Sequence, residues 1–254
     1  MKTDSMIAVL AVLLTASFAF AEGAGKRNFI GTNLNYITPE SYTPAEGCSL
    51  VFYDNFDDNK FNDSWEKFGS LDYYAVNRQV KVPVRTLKME PKEGSLLQKK
   101  SVDCRVNPVR LTVDATLPTR NNEISSAILF FPEEAAIDNQ GLPETFVRYF
   151  KRSQMEMVEA KEKNQPLRLL YARNNKTESG APRRCVLQID AKNISLAIDD
   201  KPVFSGPHDM RNIMSVRSGL WTSTKGTSHS GGNIVFDNFI LESVTADEEP
   251  KEGQ

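Results

Sequence analysis

The segments Arg184-Cys185-Val186-Leu187-Gln188-Ile189-Asp190 and Ile194-Ser195-Leu196-Ala197-Ile198-Asp199, joined by Ala191-Lys192-Asn193, decide the fold class. Cys185, Leu187 and Ile189 recur with period two in the first, and Ile194, Leu196 and Ile198 do so in the second. Side chains alternate across a strand, so each segment is a strand with one apolar face, and the short link suits a hairpin. The pattern extends outward. Residues 50–53, 73–84, 95–98, 109–117, 124–131, 145–150, 154–159, 167–173, 219–223 and 234–242 read as further strands separated by turn residues. The run 124–131 is apolar nearly throughout, which suits a strand covered on both faces. Two short helices are expected, at 133–137 and 208–214, each opened by a nearby Pro. Many short strands without long helical periods mean an all-β antiparallel sandwich or jelly roll.

The chain has 254 residues, 40% hydrophobic and 25% charged, ordinary proportions for a folded protein. With 31 Lys+Arg against 33 Asp+Glu, it has no basic surplus for gripping phosphates, so nucleic acid is not an expected partner. Two histidines and three cysteines are too few for a Cys/His zinc cluster. Lys2, the apolar run 6–20 and Ala19-Phe20-Ala21 make residues 1–21 a cleavable export leader, too short to span a membrane. The expected location is therefore secreted, periplasmic or extracellular. Residues 22–47 read as an irregular arm, 48–244 as one domain and 245–254 as an acidic, frayed tail. Cys48, Cys104 and Cys185 could form one bridge in three ways or none, and the apolar face around Cys185 favours burial there.

Three motifs together resemble the concanavalin A-like lectin/glucanase superfamily. They are Leu50-Val51-Phe52-Tyr53-Asp54-Asn55-Phe56-Asp57-Asp58 followed by Trp65; Ile194 to Val203, similar to an I-x-V-x-V-D-G-K-x-V hairpin with Asp200 where Gly is usual; and Ser218-Gly219-Leu220-Trp221 with Ile234-Val235-Phe236-Asp237-Asn238-Phe239. The ending is similar to those of LamG-like and 3-keto-disaccharide-hydrolase-related secreted bacterial domains. The resemblance covers both ends and the penultimate hairpin but not the centre. It implies a concanavalin A-like jelly roll and a carbohydrate partner.

Candidate chemistry follows from the residues. In Gln154-Met155-Glu156-Met157-Val158-Glu159, alternation sets Gln154 and Glu156 opposite Met155 and Met157. A bulge near Met157 or Val158 would bring Glu159 beside Glu156, as a glycosidase carboxylate pair requires. The run resembles an altered form of the E-[IL]-D-x-x-E strand of laminarinase-like glucanases. That resemblance makes Glu159 the acid/base and Glu156 the other carboxylate, with Gln154 at the nucleophile's position. Asp237 on the last strand is a candidate ligand for a structural Ca2+, at the position where similar jelly rolls hold that ion. Aromatic and planar polar groups suit a sugar, and Tyr73, Tyr74, Arg78, Arg148, Tyr149, Tyr171, Arg173 and Trp221 could supply them. No organic cofactor is expected. The leading expectation is glycan binding on a concave sheet; the alternatives are a glycoside hydrolase and a cell-envelope protein-interaction or structural module.

Overall fold

The structure is a computed structural model and describes residues 42–56, 59–76, 79–84, 92–116, 124–152, 154–175, 182–208, 210, 213–224 and 232–245. The leader, most of the arm and nearly all of the tail lie outside these residues, so nothing tests those expectations.

In chain order the strands are β1 (Cys48–Asp54), β2 (Trp65–Gly69), β3 (Tyr74–Val76), β4 (Gln79–Val84), β5 (Lys92–Gln98), β6 (Val102–Asp103), β7 (Val109–Thr116) and β8 (Ile124–Pro132). There follow β9 (Phe146–Arg152), β10 (Met155–Lys161), β11 (Arg168–Asn174), β12 (Arg183–Ile189), β13 (Asn193–Ile198), β14 (Lys201–Pro207), β15 (Ser215–Thr224) and β16 (Gly232–Val244). One sheet runs β14-β13-β12-β7-β16-β4-β3, with β1 on β16. The other runs β11-β10-β9-β8-β15-β5-β2, with β6 on β15. All pairings are antiparallel, and the apolar faces of both sheets meet in one core holding Leu111, Val113, Cys185, Leu187 and Phe236 of the first and Leu96, Ile128, Phe130, Tyr149 and Val158 of the second. This is the all-β sandwich that the alternating pattern implies.

The β12–β13 hairpin forms as read. The Asp190 carboxylate accepts N–H bonds from Lys192 and Asn193, each at 2.7 Å, and closes the turn. At the β13–β14 turn, Asp199 and Asp200 both adopt left-handed φ (50° and 61°), a conformation in which Gly is the favoured residue. The two terminal motifs meet in space. Trp65 packs edge-on against Phe239 at 4.8 Å and against Phe52 at 5.8 Å, while its indole N–H donates to Asp54 at 2.7 Å. Burial of these rings ties the first strand to the last.

One expectation needs correction, and the last strand departs from simple alternation. Residues 133–137 form no helix, with a turn at 133–134 and a β-bridge from Ile137 to Pro143: so short a run does not repay helix nucleation, and the Asp138 carboxylate just beyond draws the N–H groups of Gln140 and Leu142 into a side-chain-closed turn. Asp237 does not share a face with Phe239 and Leu241. The β7–β16 register slips between Asp237 and Ile240, with Asn238 at φ 48°, and this bulge turns Phe239 and Leu241 into the core while Asp237 faces outward. The candidate helix at 208–214 lies partly outside the described residues. All three cysteines are free, and burial pushes the Cys104 thiol up to about 11 and the Cys185 thiol higher still. Among the described residues no helix is long and apolar enough to cross a membrane.

Candidate functional site

The outer face of the second sheet carries a small apolar layer of its own. Leu97, Ala127, Leu129, Phe131, Phe146, Phe150 and Trp221 cluster there, opposite the main core, which explains why residues 124–131 are apolar on both faces. The β8–β9 connection folds over one part of this layer, bringing Ala135, Ile137 and Leu142 onto it. Gly141 sits so close that a Cβ there would lie 2.7 Å from Ser95 Oγ and 2.8 Å from Phe68 Cβ. On the β10–β11 side, Met155 and Leu169 are exposed.

Between these regions lies a polar cluster. On β9, Phe146, Arg148 and Phe150 share the outer face, and the Arg148 guanidinium carbon lies 4.9, 4.6 and 4.6 Å from the ring centres of Phe146, Phe150 and Trp221. Arg148 stands opposite Glu159 of β10, and its Nε and Nη2 both approach Glu159 Oε2 at 2.9 Å. Burial lowers the pKa of Arg148, and Glu159 acts against that loss. Arg148 is 7% exposed and Trp221 5%, yet among the described residues the buried donors Arg148 Nη1 and Trp221 Nε1 have no hydrogen-bond partner. Buried donors are ordinarily satisfied, so two orphans in one cluster single this cluster out.

Glu156 is not part of this cluster. From Met155 to Lys161, β10 pairs with β9 without a break. The register shift between Val158 and Glu159 occurs against β11, where Leu170 is the additional residue. The bulge therefore falls on the edge strand, and β10 keeps strict alternation: Met157 and Glu159 face outward, while Glu156, Val158 and Ala160 face the other sheet. Glu156 is 1% exposed and accepts hydrogen bonds from Arg173 Nη2 and Asn175 Nδ2, both at 2.8 Å, with Lys151 Nζ at 3.7 Å. Burial lowers the pKa of Lys151, and the bond to Glu156 raises that of Arg173. This is an inter-strand ion network, not half of a carboxylate pair.

The other candidates divide in the same way. Arg148 and Trp221 share the outer face. Tyr149 and Tyr171 face inward, the latter stacked on Phe204 of β14 at 5.4 Å, and Arg173 serves Glu156. Tyr73 is buried and donates to the Gly94 carbonyl at 2.7 Å. The backbone of Tyr74 belongs to β3 of the first sheet, and Arg78 lies outside the described residues. Asp237 faces Asp114 across the β7–β16 ladder. Its oxygens accept from Asn238 N at 2.8 Å and Gln79 Nε2 at 3.4 Å, and Asp114 accepts from Asn238 Nδ2 at 2.8 Å. These partners are donors, and among the described residues no group of three or more His, Cys, Asp or Glu could hold a metal. The described donor set thus fits hydrogen-bonded aspartates and does not by itself assemble a calcium cage. Sequence reasoning missed Phe146 and Phe150, although their spacing with Arg148 at every second residue was the signal.

No family model and no curated protein matches the sequence. Solved structures do match in shape. An endo-β-1,3-glucanase from Pyrococcus furiosus superposes with a TM-score of 0.60 at 11% identity, over 77% of this chain and 94% of that one. The laminarinase from Rhodothermus marinus gives 0.56 at 12%, over 77% and 97%. The carbohydrate recognition domain of Emp47p gives 0.56 at 11%, over 81% and 100%. The fold is thus the concanavalin A-like jelly roll of lectins and glucanases. At such identities the likeness defines the fold and leaves activity to the site.

Proposed function

We propose that this is an exported carbohydrate-binding protein that holds a glycan at Arg148, Glu159 and Trp221 without hydrolysing it. The observation that carries the reading is the pair of orphaned donors, Arg148 Nη1 and Trp221 Nε1, set beside the Glu159 carboxylate on a face rich in aromatic rings. Sugar rims present hydroxyls that accept from such donors and donate to such a carboxylate, and sugar faces pack on rings and methionines. Concanavalin A-like neighbours that include a carbohydrate recognition domain and glucanases support the carbohydrate class. Against hydrolysis, a retaining mechanism needs two carboxyls about 5–5.5 Å apart on one side of the sugar, and Glu156 and Glu159 lie on opposite sides of the sheet.

Calorimetric titration with a panel of neutral and acidic oligosaccharides tests it. Trp221→Phe keeps a ring and removes one donor, so it should weaken binding by about tenfold with little change in melting temperature. Absence of binding across the panel, with and without calcium, would overturn the proposal. So would wild-type affinity in both Trp221→Phe and Glu159→Gln.

A further inference from the structure

A cavity of about 940 Å3 opens at the end of the sandwich where β10 turns into β11 and β12 into β13. It is separate from the Arg148 cluster. The second sheet contributes Glu162, Pro166, Leu167 and Arg168, and the first contributes Lys192, His208 and Met210. The wall is fixed. The His208 N–H donates to the Lys192 carbonyl at 3.1 Å, and its Nδ1 accepts from Met210 N at 3.1 Å. Nε2 therefore carries the proton and donates to the Asp190 carbonyl at 2.9 Å. One buried imidazole thus ties the β12–β13 turn to the segment after β14.

Two opposite charges border this cavity from different sheets, Lys192 exposed and Glu162 half-buried. Among the described residues neither Lys192 nor Glu162 makes an ion pair, whereas the neighbouring Lys163 pairs with Glu144 at 3.1 Å. Exposed apolar groups gather at the same end. Leu167 and Leu169 lie at the start of β11, and Met214 and Val106 flank the segment that continues from Met210, where Cys104 N–H bonds the Met214 carbonyl at 3.0 Å. Val106 is 80% exposed. Pockets that combine apolar walls with a few fixed polar groups select ligands bearing both features.

We propose that this cavity binds a small zwitterion with an apolar body, an apolar amino acid or dipeptide, its carboxylate at Lys192 and its ammonium at Glu162. The apolar body lies against Met210, Pro166 and Leu167. This site is independent of the glycan reading and stands if that reading fails.

Leu-Leu dipeptide is the probe, titrated into the full chain by calorimetry beside its N-acetyl and C-amide forms. The free dipeptide binds saturably, and capping either end weakens it about fivefold. Lys192→Ala removes the difference between Leu-Leu and its amide, and Glu162→Gln removes the difference between Leu-Leu and its N-acetyl form. Ala191→Trp, in the exposed turn at the cavity mouth, abolishes binding of all three. Thermal melts confirm that each variant is folded, and the two charge variants suffice if the bulky one is not. No saturable binding by the wild type overturns the assignment. Equal affinity for free and capped dipeptides does so too, as does affinity unmoved by Lys192→Ala and Glu162→Gln.

Discussion

Glu156 and Glu159, three residues apart on β10, face opposite sides of the second sheet, the first toward the sandwich interior and the second toward the outer face. Each is neutralised in place: Glu156 by Arg173 and Lys151, Glu159 by Arg148. Their substitution should therefore have separable consequences. Removing Glu156 takes a buried carboxylate away from the ammonium of Lys151 and the guanidinium of Arg173, and breaking such a buried pairing costs about 3 kcal/mol. Glu156→Ala is expected to lower the melting temperature by several degrees, with glycan affinity per folded molecule unchanged. Glu159→Gln retains a hydrogen bond to Arg148 but not the charge, so it should lose less melting temperature than Glu156→Ala while binding glycan more weakly. Equal melting losses in both variants would show that the two carboxylates share one role.

The same separation predicts the enzymology. Reducing-end release from β-glucans, galactans and disaccharides should stay at background for the wild type and for Glu159→Gln, because neither face offers Glu159 the second carboxylate expected from β10. Turnover by the wild type that disappears in Glu159→Gln would reinstate the hydrolase and point to a partner carboxylate from another strand.

The fold was legible because alternation at 185–189 and 194–198 is local, and because aromatic residues at 52, 56, 65 and 239 leave few ways to bury themselves except together. The site was legible only in its members. Arg148, Glu159 and Trp221 are all in the sequence-derived set, but so are Tyr171 and Arg173, which face the other way. What separates them is register, and register on β10 turns on a single residue. The sequence 154–159 breaks its polar alternation at Val158-Glu159, and a bulge is one response to that break. The structure adopts the other: it accepts a buried Glu156, neutralised by cations on β9 and β11, and places the additional residue on β11 as Leu170. Lys151 and Arg173 lie 5 and 17 positions from Glu156, so their joint use there is a tertiary fact. Asp237 teaches the same lesson, since a bulge at Asn238 reassigns the face of every residue before it.

Calcium offers a clean measurement. The Asp237 carboxylate receives N–H bonds from Asn238 and Gln79, and Asp114 opposite it receives Arg184 at 3.4 Å as well as Asn238. With donors on both carboxylates, melting curves recorded with millimolar calcium and with chelator are expected to coincide. A calcium-dependent rise of several degrees, lost in Asp237→Asn, would establish a structural ion there.

Alkaline pH should destabilise the protein through groups that have no part in binding. Burial holds the phenols of Tyr73 and Tyr149 above their ordinary 10.0, and Tyr42 is raised by burial and by its 2.6 Å bond to Glu242. Burial also raises Cys104, to about 11, and Cys185 further, from an ordinary 9.0. Each of these groups is neutral when protonated and keeps its proton to higher pH in the folded chain than in the unfolded one. Above about pH 9 the folded state then binds more protons, so the slope of unfolding free energy with pH is negative. The stabilisation is complete below the ordinary values and is lost as pH rises through the folded ones. Lys151 works in the opposite sense, because burial lowers its pKa below 10.5, but one lysine stands against five acids. Melting temperatures measured from about pH 8 to about pH 11 should fall continuously, with phenolate absorbance of the folded protein lagging that of the denatured chain. A flat profile over that range, or full phenolate absorbance in the folded state, would show that these side chains reach solvent.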